Sequence, residues 1–280
     1  MDLLVSTDWL ERALGTPDLK LIDSSIFLPG SGRDPRAEFE AAHIPGAVFL
    51  DIEEVADTSN PLPHMLPSEQ KLASRMQSLG LRDGSRFVVY DNSPLHSAAR
   101  AWWMLRIFGA HYVSVLDGGF QKWTAEGRLV ESGRPQVRHG HFTPSFDAAA
   151  VVDKAQVSAL LNSSDHELVD ARPATRFSGE EPDPRPGMAS GHIPGSKNLP
   201  QSELFNPDNS WKQGEELRAA FDRAGVDLNK PMVTTCGSGV TAAVLLFGAR
   251  LLGKEDVKLY DGSWAEWGAD PATPKATGTA

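Results

Sequence analysis

Short, nearly uninterrupted apolar runs alternate along this chain with longer stretches of helical character. In the second half, Glu167-Leu168-Val169-Asp170 reads as a strand, Met232-Val233-Thr234-Thr235 as a second and Val257-Lys258-Leu259-Tyr260 as a third. Between the last two, Thr241 to Leu252 is apolar, rich in Ala and Leu, and ends at Gly253, which predicts a helix closed by a C-terminal glycine. The first half has counterparts in Arg86 to Tyr90, in Ser97 to Phe108 followed by Gly109, and in Tyr112 to Leu116. Strand–helix–strand order with strands apolar on both faces predicts an α/β fold, its parallel sheets covered on both sides by helices.

The pattern is written twice. Leu21-Ile22-Asp23-Ser24 returns as Leu168-Val169-Asp170-Ala171, and Ala42-His43-Ile44-Pro45-Gly46-Ala47 as Gly191-His192-Ile193-Pro194-Gly195-Ser196. Val115-Leu116-Asp117-Gly118-Gly119-Phe120-Gln121-Lys122-Trp123 returns as Leu259-Tyr260-Asp261-Gly262-Ser263-Trp264-Ala265-Glu266-Trp267. The three pairs keep the same order and nearly the same displacement, so the chain carries two copies of one domain. Residues 1–127 form the first copy and 150–268 the second. Residues 128–149, with Pro and Gly and no clear period, read as the linker. The tail 269–280 has little to bury and is expected to fray.

Length agrees: 280 residues suit two domains, each with its own core. A net charge of −10 argues against a nucleic-acid surface, which needs a basic footprint, yet leaves room for a small anion held by a few local cations. No window approaches the run of about 18 apolar residues that a membrane span requires. The first residues, Met1-Asp2-Leu3-Leu4-Val5-Ser6, lack the basic start and apolar run of a signal peptide. A single cysteine allows no intrachain disulfide and no paired-cysteine metal or redox motif, and it suits a reducing compartment, so a cytoplasmic protein is expected. No metal or organic cofactor is called for.

That cysteine, Cys236, ends a predicted strand and opens Cys236-Gly237-Ser238-Gly239-Val240-Thr241 just before a helix. In open parallel sheets, ligands bind beyond the carboxyl ends of strands. The two glycines let the loop turn successive N–H groups inward, and the helix adds the positive end of its dipole. Both favour a thiolate nucleophile and an anionic persulfide formed from it. A buried lone cysteine is otherwise a small hydrophobe, which has no need of a Gly-Ser-Gly loop at a strand end. The aligned position in the first copy is Asp91, within Val89-Tyr90-Asp91-Asn92-Ser93-Pro94. A carboxylate cannot carry sulfur as a persulfide does, so chemistry is expected in the second copy alone.

The loop, the two His-Ile-Pro-Gly segments and the Asp-Gly-Gly-Phe and Asp-Gly-Ser-Trp turns resemble the tandem rhodanese family over nearly the whole chain. The six-residue loop resembles the 3-mercaptopyruvate sulfurtransferase branch. The resemblance implies two rhodanese-like domains, each a five-stranded parallel sheet flanked by helices. It also implies sulfur transfer from a small donor through a Cys236 persulfide to a thiol, thioredoxin or cyanide. Thiosulfate-using relatives resemble a Cys-Arg-Lys-Gly-Val-Thr loop; here Gly237 and Ser238 are neutral, which disfavours that dianion. The resemblance also assigns Arg176 and Arg185 to the donor's carboxylate, which two guanidinium groups can grip. Glu180, Glu181 and Asp183 lie between them and offer ordinary surface partners instead. Gly237, Gly239, Val240 and Thr241 complete the expected substrate-binding loop. Ser238 can donate a hydrogen bond to the departing enolate or cap the next helix, for which Thr241 is better placed. His64 and Glu53 resemble family residues that form a relay with the loop serine, although Glu53 stands where that pattern has Asp.

Other features read as structural. His43 and His192, and Asp23, Asp117, Asp170 and Asp261, match between both copies and are expected to serve the fold. His139 and His141 are too few to hold a metal. Trp102, Trp103, Trp264 and Trp267 are expected to pack cores or the interface. Rival functions are thiosulfate sulfurtransfer, a cysteine phosphatase (disfavoured because position 242 is Ala rather than Arg) and a sulfur-relay or redox adaptor.

Overall fold

A computed structural model describes residues 1–161 and 163–279. Two compact units are present. The first comprises Met1–Thr58, Leu66–Asp147 and Asn206–Trp211; the second comprises Ser59–Met65, Ala148–Phe205 and Lys212–Ala280.

The first unit holds strands β1 (Leu4–Val5), β2 (Leu19–Asp23), β3 (Ala47–Phe49), β4 (Arg86–Tyr90) and β5 (Val113–Leu116), in spatial order β1-β5-β4-β2-β3. Every pairing is parallel. Its helices are α1 (Thr7–Ala13), α2 (Pro35–Ala41), α3 (Ile52–Val55), α4 (Glu69–Ser78), α5 (Ala98–Ile107) and α6 (Gly119–Ala125). The second unit repeats the plan with β6 (Val151–Val152), β7 (Glu167–Asp170), β8 (Lys197–Asn198), β9 (Met232–Thr235) and β10 (Val257–Tyr260), in order β6-β10-β9-β7-β8 and again all parallel. Its helices are α7 (Lys154–Leu160), α8 (Ala174–Ser178), α9 (Gly214–Arg223), α10 (Ala242–Leu251) and α11 (Ser263–Trp267).

The expected strands and the long helices fall where the apolar runs put them. β7 and β9 are buried along their whole length, as strands covered on both faces must be. α10 buries residues 242–249 without a break, which explains the unbroken apolar run over those residues, whereas α9 turns Leu217, Ala220 and Phe221 inward and its acids outward. The four tryptophans singled out above are all buried. In each unit the repeated histidine stacks on a phenylalanine and its Nδ1 meets that residue's carbonyl: His43 on Phe39 and His192 on Phe177, at 2.7 and 2.8 Å. These are fold determinants, as their duplication suggests.

Residues 128–147, read above as linker, run along the first unit. Gly140 donates to Gln77, Asp83 to His141 and Ser145 to Phe108 through backbone bonds. The tail, expected to fray, is bound to the second unit. Ala276 exchanges backbone bonds with His192, Gly278 donates to Ser178, and the indole of Trp267 donates to Pro274. Backbone groups of the segment and of the tail make these contacts, so their side-chain composition does not reveal them. Ala280 lies outside the described residues. Among the described residues no helix is long and apolar enough to cross a membrane.

Candidate active site

Cys236 follows directly on β9, at the carboxyl end of the second sheet, and is 2 % exposed. Its N–H donates to Ser263 Oγ at 3.2 Å, and its carbonyl accepts the N–H of Trp264 at 2.9 Å. The next carbonyl, of Gly237, accepts the N–H of Ala265 at 2.9 Å and Arg185 Nη1 at 2.6 Å. The turn that begins α11 and an arginine therefore hold the start of the loop. Gly237 is where the approach is closest: a Cβ there would stand 3.0 Å from Arg185 Nη2. Gly239 has φ +80°, a conformation that glycine adopts without strain. Val240 is buried. Thr241 occupies the position before α10 but has helical dihedrals and makes no side-chain capping bond. The expectation that it caps the helix is corrected: a cap needs an extended backbone to swing its oxygen onto the first-turn amides.

The two arginines differ in their surroundings. Arg185 forms a two-pronged pair with Asp183, Nε to Oδ1 and Nη2 to Oδ2, both at 2.8 Å, while Nη1 reaches the cysteine loop. Burial opposes the charge on Asp183, yet the hydrogen bonds from Arg185 hold its carboxyl below the usual carboxylate range. Asp183 thus acts as a fixed anchor that aims the guanidinium. Arg176, on α8, pairs with Glu181, which also accepts from Thr175 at 2.9 Å. The acids between the arginines do engage them, and of the two it is Arg185 that bonds to the loop.

Ser238 Oγ lies 2.8 Å from His64 Nδ1. His64 sits in the segment Ser59–Met65, which belongs to the second unit, and has φ +60°. Its side chain is brought to the loop as the relay expectation requires. Glu53 stands on α3 of the first unit and is solvent-exposed.

Below the loop, Asp170 at the end of β7 pairs with Arg172 through Nε and Nη2, at 3.0 and 2.7 Å, and both are buried. Arg172 also donates to the Gly191 carbonyl at 2.8 Å, and its guanidinium lies 4.5 Å from the Trp264 ring centroid. In the first unit the corresponding residues are Asp23 and Ser25, and burial without a cation pushes Asp23 up to about 7. Asp91, at the place of Cys236, accepts the N–H groups of Ser93 and Ala98 at 2.9 and 2.7 Å. A strand-end anion is thus received there by loop and helix amides, even though burial pushes its carboxyl up to about 6.

The sequence reading gave Ser263 and Arg172 no part in the site and took Asp183 only as an ordinary surface partner of the arginines. A signal existed for Ser263, because the repeated turn reads Asp-Gly-Gly in the first copy and Asp-Gly-Ser in the second. Among the described residues no group of three or more His, Cys, Asp or Glu is placed to hold a metal.

Two five-stranded parallel sheets, one of them with a cysteine loop at a strand end, define a tandem α/β architecture. The family described as Rhodanese-like domain matches residues 6–126 and 153–270, and the chain belongs to that family. It is similar to the 3-mercaptopyruvate sulfurtransferase of Rattus norvegicus, 45 % identical over 270 residues, 94 % of this chain and 91 % of the relative. It is also similar to a thiosulfate sulfurtransferase of Cricetulus griseus, 43 % identical over 271 residues, 94 % and 91 % of the two chains. The crystal structure of SseA from Escherichia coli, described as a 3-mercaptopyruvate sulfotransferase with a rhodanese fold, superposes with a TM-score of 0.87 at 41 % identity, covering 94 % of this chain and 99 % of that one.

Proposed function

We propose that this chain is a sulfurtransferase that takes sulfur from 3-mercaptopyruvate onto Cys236 and passes it to a thiol, releasing pyruvate. The observation that carries this reading is the composition of the loop around its only cysteine. Gly237 and Ser238 beside the nucleophile are uncharged, and the nearby cation, Arg185, is held on the loop's flank by Asp183. A monoanionic donor with its carboxylate remote from the reacting sulfur suits that placement better than a compact dianion.

The Cys236 thiolate attacks the sulfur of the donor and forms an S–S bond while the carbon–sulfur bond breaks. The electron pair of that bond leaves on the pyruvate fragment as its enolate, which takes up one proton to become pyruvate. The Ser238 hydroxyl, bonded to His64, is the group offered to the enolate, and it shares this task with the loop amides. The persulfide left on Cys236 rests in the amide cradle that Asp91 illustrates in the other half. An acceptor thiolate then attacks the outer sulfur and restores the Cys236 thiolate. Arg185 binds the donor's carboxylate, Arg176 assists from α8, and Gly237, Gly239, Val240 and Thr241 form the wall of the site. Thioredoxin and cyanide are the further acceptors, and a reducing cytoplasm, which keeps the thiol free, is the setting.

The name of the Cricetulus griseus relative favours thiosulfate as a second reading. Side-by-side kcat/KM values for the two donors, with a thiol acceptor and with cyanide, separate them. A preference of about tenfold or more for 3-mercaptopyruvate, or 1.4 kcal/mol in transition-state binding, is expected. A preference for thiosulfate would overturn the argument from the neutral loop.

A further inference from the structure

Ser263 is 0 % exposed and has φ +50°, a left-handed conformation that burdens any residue with a Cβ. The first unit places a left-handed residue at the same point of its turn, although the glycine before it differs: Gly118 has φ +76° and Gly262 φ −62°. There Phe120 donates to the Asp91 carbonyl as Trp264 donates to that of Cys236, both at 2.9 Å, and the left-handed residue is Gly119 with φ +57°. Glycine serves this turn at no strain, and in the first unit no Cβ would fit, since it would lie 2.5 Å from the Asp91 carbonyl oxygen. The half with the cysteine thus carries a strained side chain where the half without it does not. What that side chain adds is a bridge: its hydroxyl accepts from the Cys236 N–H at 3.2 Å and donates to the Tyr260 carbonyl at 2.8 Å. Strain retained beside a reacting atom points to a role in the reaction.

We propose that Ser263 is a positioning residue for the nucleophile. By tying the Cys236 amide to the end of β10, it fixes the cysteine backbone and with it the direction in which Sγ meets the donor. The hydroxyl touches backbone only and takes no part in bond making. The proposal rests on Cys236 being the nucleophile of the reaction described above.

Ser263→Gly tests it, because glycine keeps the turn, relieves the strain and removes only the bridge. The expected outcome is a melting temperature equal to or above that of the unmodified protein. The single-turnover rate constant for sulfur uptake from 3-mercaptopyruvate should fall about tenfold or more, with the half-saturating donor concentration unchanged. Ser263→Ala, which keeps the strain and loses the bridge, should show the same loss of rate with a lower melting temperature. A merely structural serine would change stability and rate together, and glycine would leave the rate within about twofold; that result overturns the proposal. Alkylation of Cys236 by iodoacetamide supplies a donor-independent reading of the same geometry and is expected to slow in both variants. If the unmodified protein takes no sulfur from 3-mercaptopyruvate, the functional reading fails, and the alkylation rates alone decide the role of Ser263.

Discussion

Gly237 shows how much one missing side chain decides. Its carbonyl accepts Arg185, and a Cβ on it would stand 3.0 Å from the same guanidinium, closer than ordinary van der Waals contact. The loop residue after the cysteine and Arg185, the arginine proposed to bind the donor's carboxylate, therefore compete for one place. Gly237→Ala is expected to displace the guanidinium by a few tenths of an ångström without unfolding the loop, since the obstructing atom ends a flexible side chain. In the assay, KM for 3-mercaptopyruvate should rise by about threefold to tenfold, about 0.7–1.4 kcal/mol of lost binding, with kcat little changed. An unchanged KM would mean that Arg185 does not hold the donor. Cys236 and its loop stood out by residue type and spacing, whereas the two arginines were singled out through the family resemblance. The partner of each arginine was not legible, because Glu180, Glu181 and Asp183 are chemically equivalent candidates and only the folded backbone selects Asp183 for Arg185 and Glu181 for Arg176.

At the scale of elements, the ends of β2 and β7 carry the same aspartate with different partners. In the second unit Asp170 is neutralised by Arg172, a buried pair whose separation would leave an uncompensated charge. In the first unit Asp23 accepts from the backbone N–H and hydroxyl of Ser25 at 2.9 and 2.6 Å, and burial pushes its carboxyl up to about 7. The folded chain thus keeps a proton that the unfolded chain, with an ordinary value of 3.8, has already released. Native protein binds more protons in this window, so stability falls as pH rises from about 4 through 7, by at most about 1.4 kcal/mol per pH unit. Urea denaturation of the first unit's transition, followed from pH 5 to pH 8, should show this decline in the unmodified protein and a shallower one in Asp23→Asn. Parallel curves would mean that Asp23 ionises normally. The long strands were legible because their burial on both faces writes continuous apolar runs. Strands of two or three residues such as β1, β3, β6 and β8 offer no such run, and they exist because a neighbouring strand supplies their hydrogen bonds.

For the molecule as a whole, the duplication explains both what is shared and what is not. Both copies keep the stacked histidine, the five-stranded order and the strand-end turn, while only the second keeps the thiol and adds Ser263 and Arg172. The colinear repeat made this architecture legible without coordinates. It did not show that Ser59–Met65 belongs with the second unit or Asn206–Trp211 with the first, because local pattern carries no information about contacts between distant segments. His64 enters the site by that route, so its role could be suggested only by resemblance. The central claim is that sulfur rests on Cys236 between two half-reactions. The most direct test is the mass of the Cys236-containing peptide after one equivalent of 3-mercaptopyruvate is added without acceptor. A gain of one sulfur atom at Cys236, with one pyruvate released per chain and both lost in Cys236→Ser, is the result expected. Pyruvate release with Cys236 unmodified, or sulfur transfer that survives in Cys236→Ser, would contradict it.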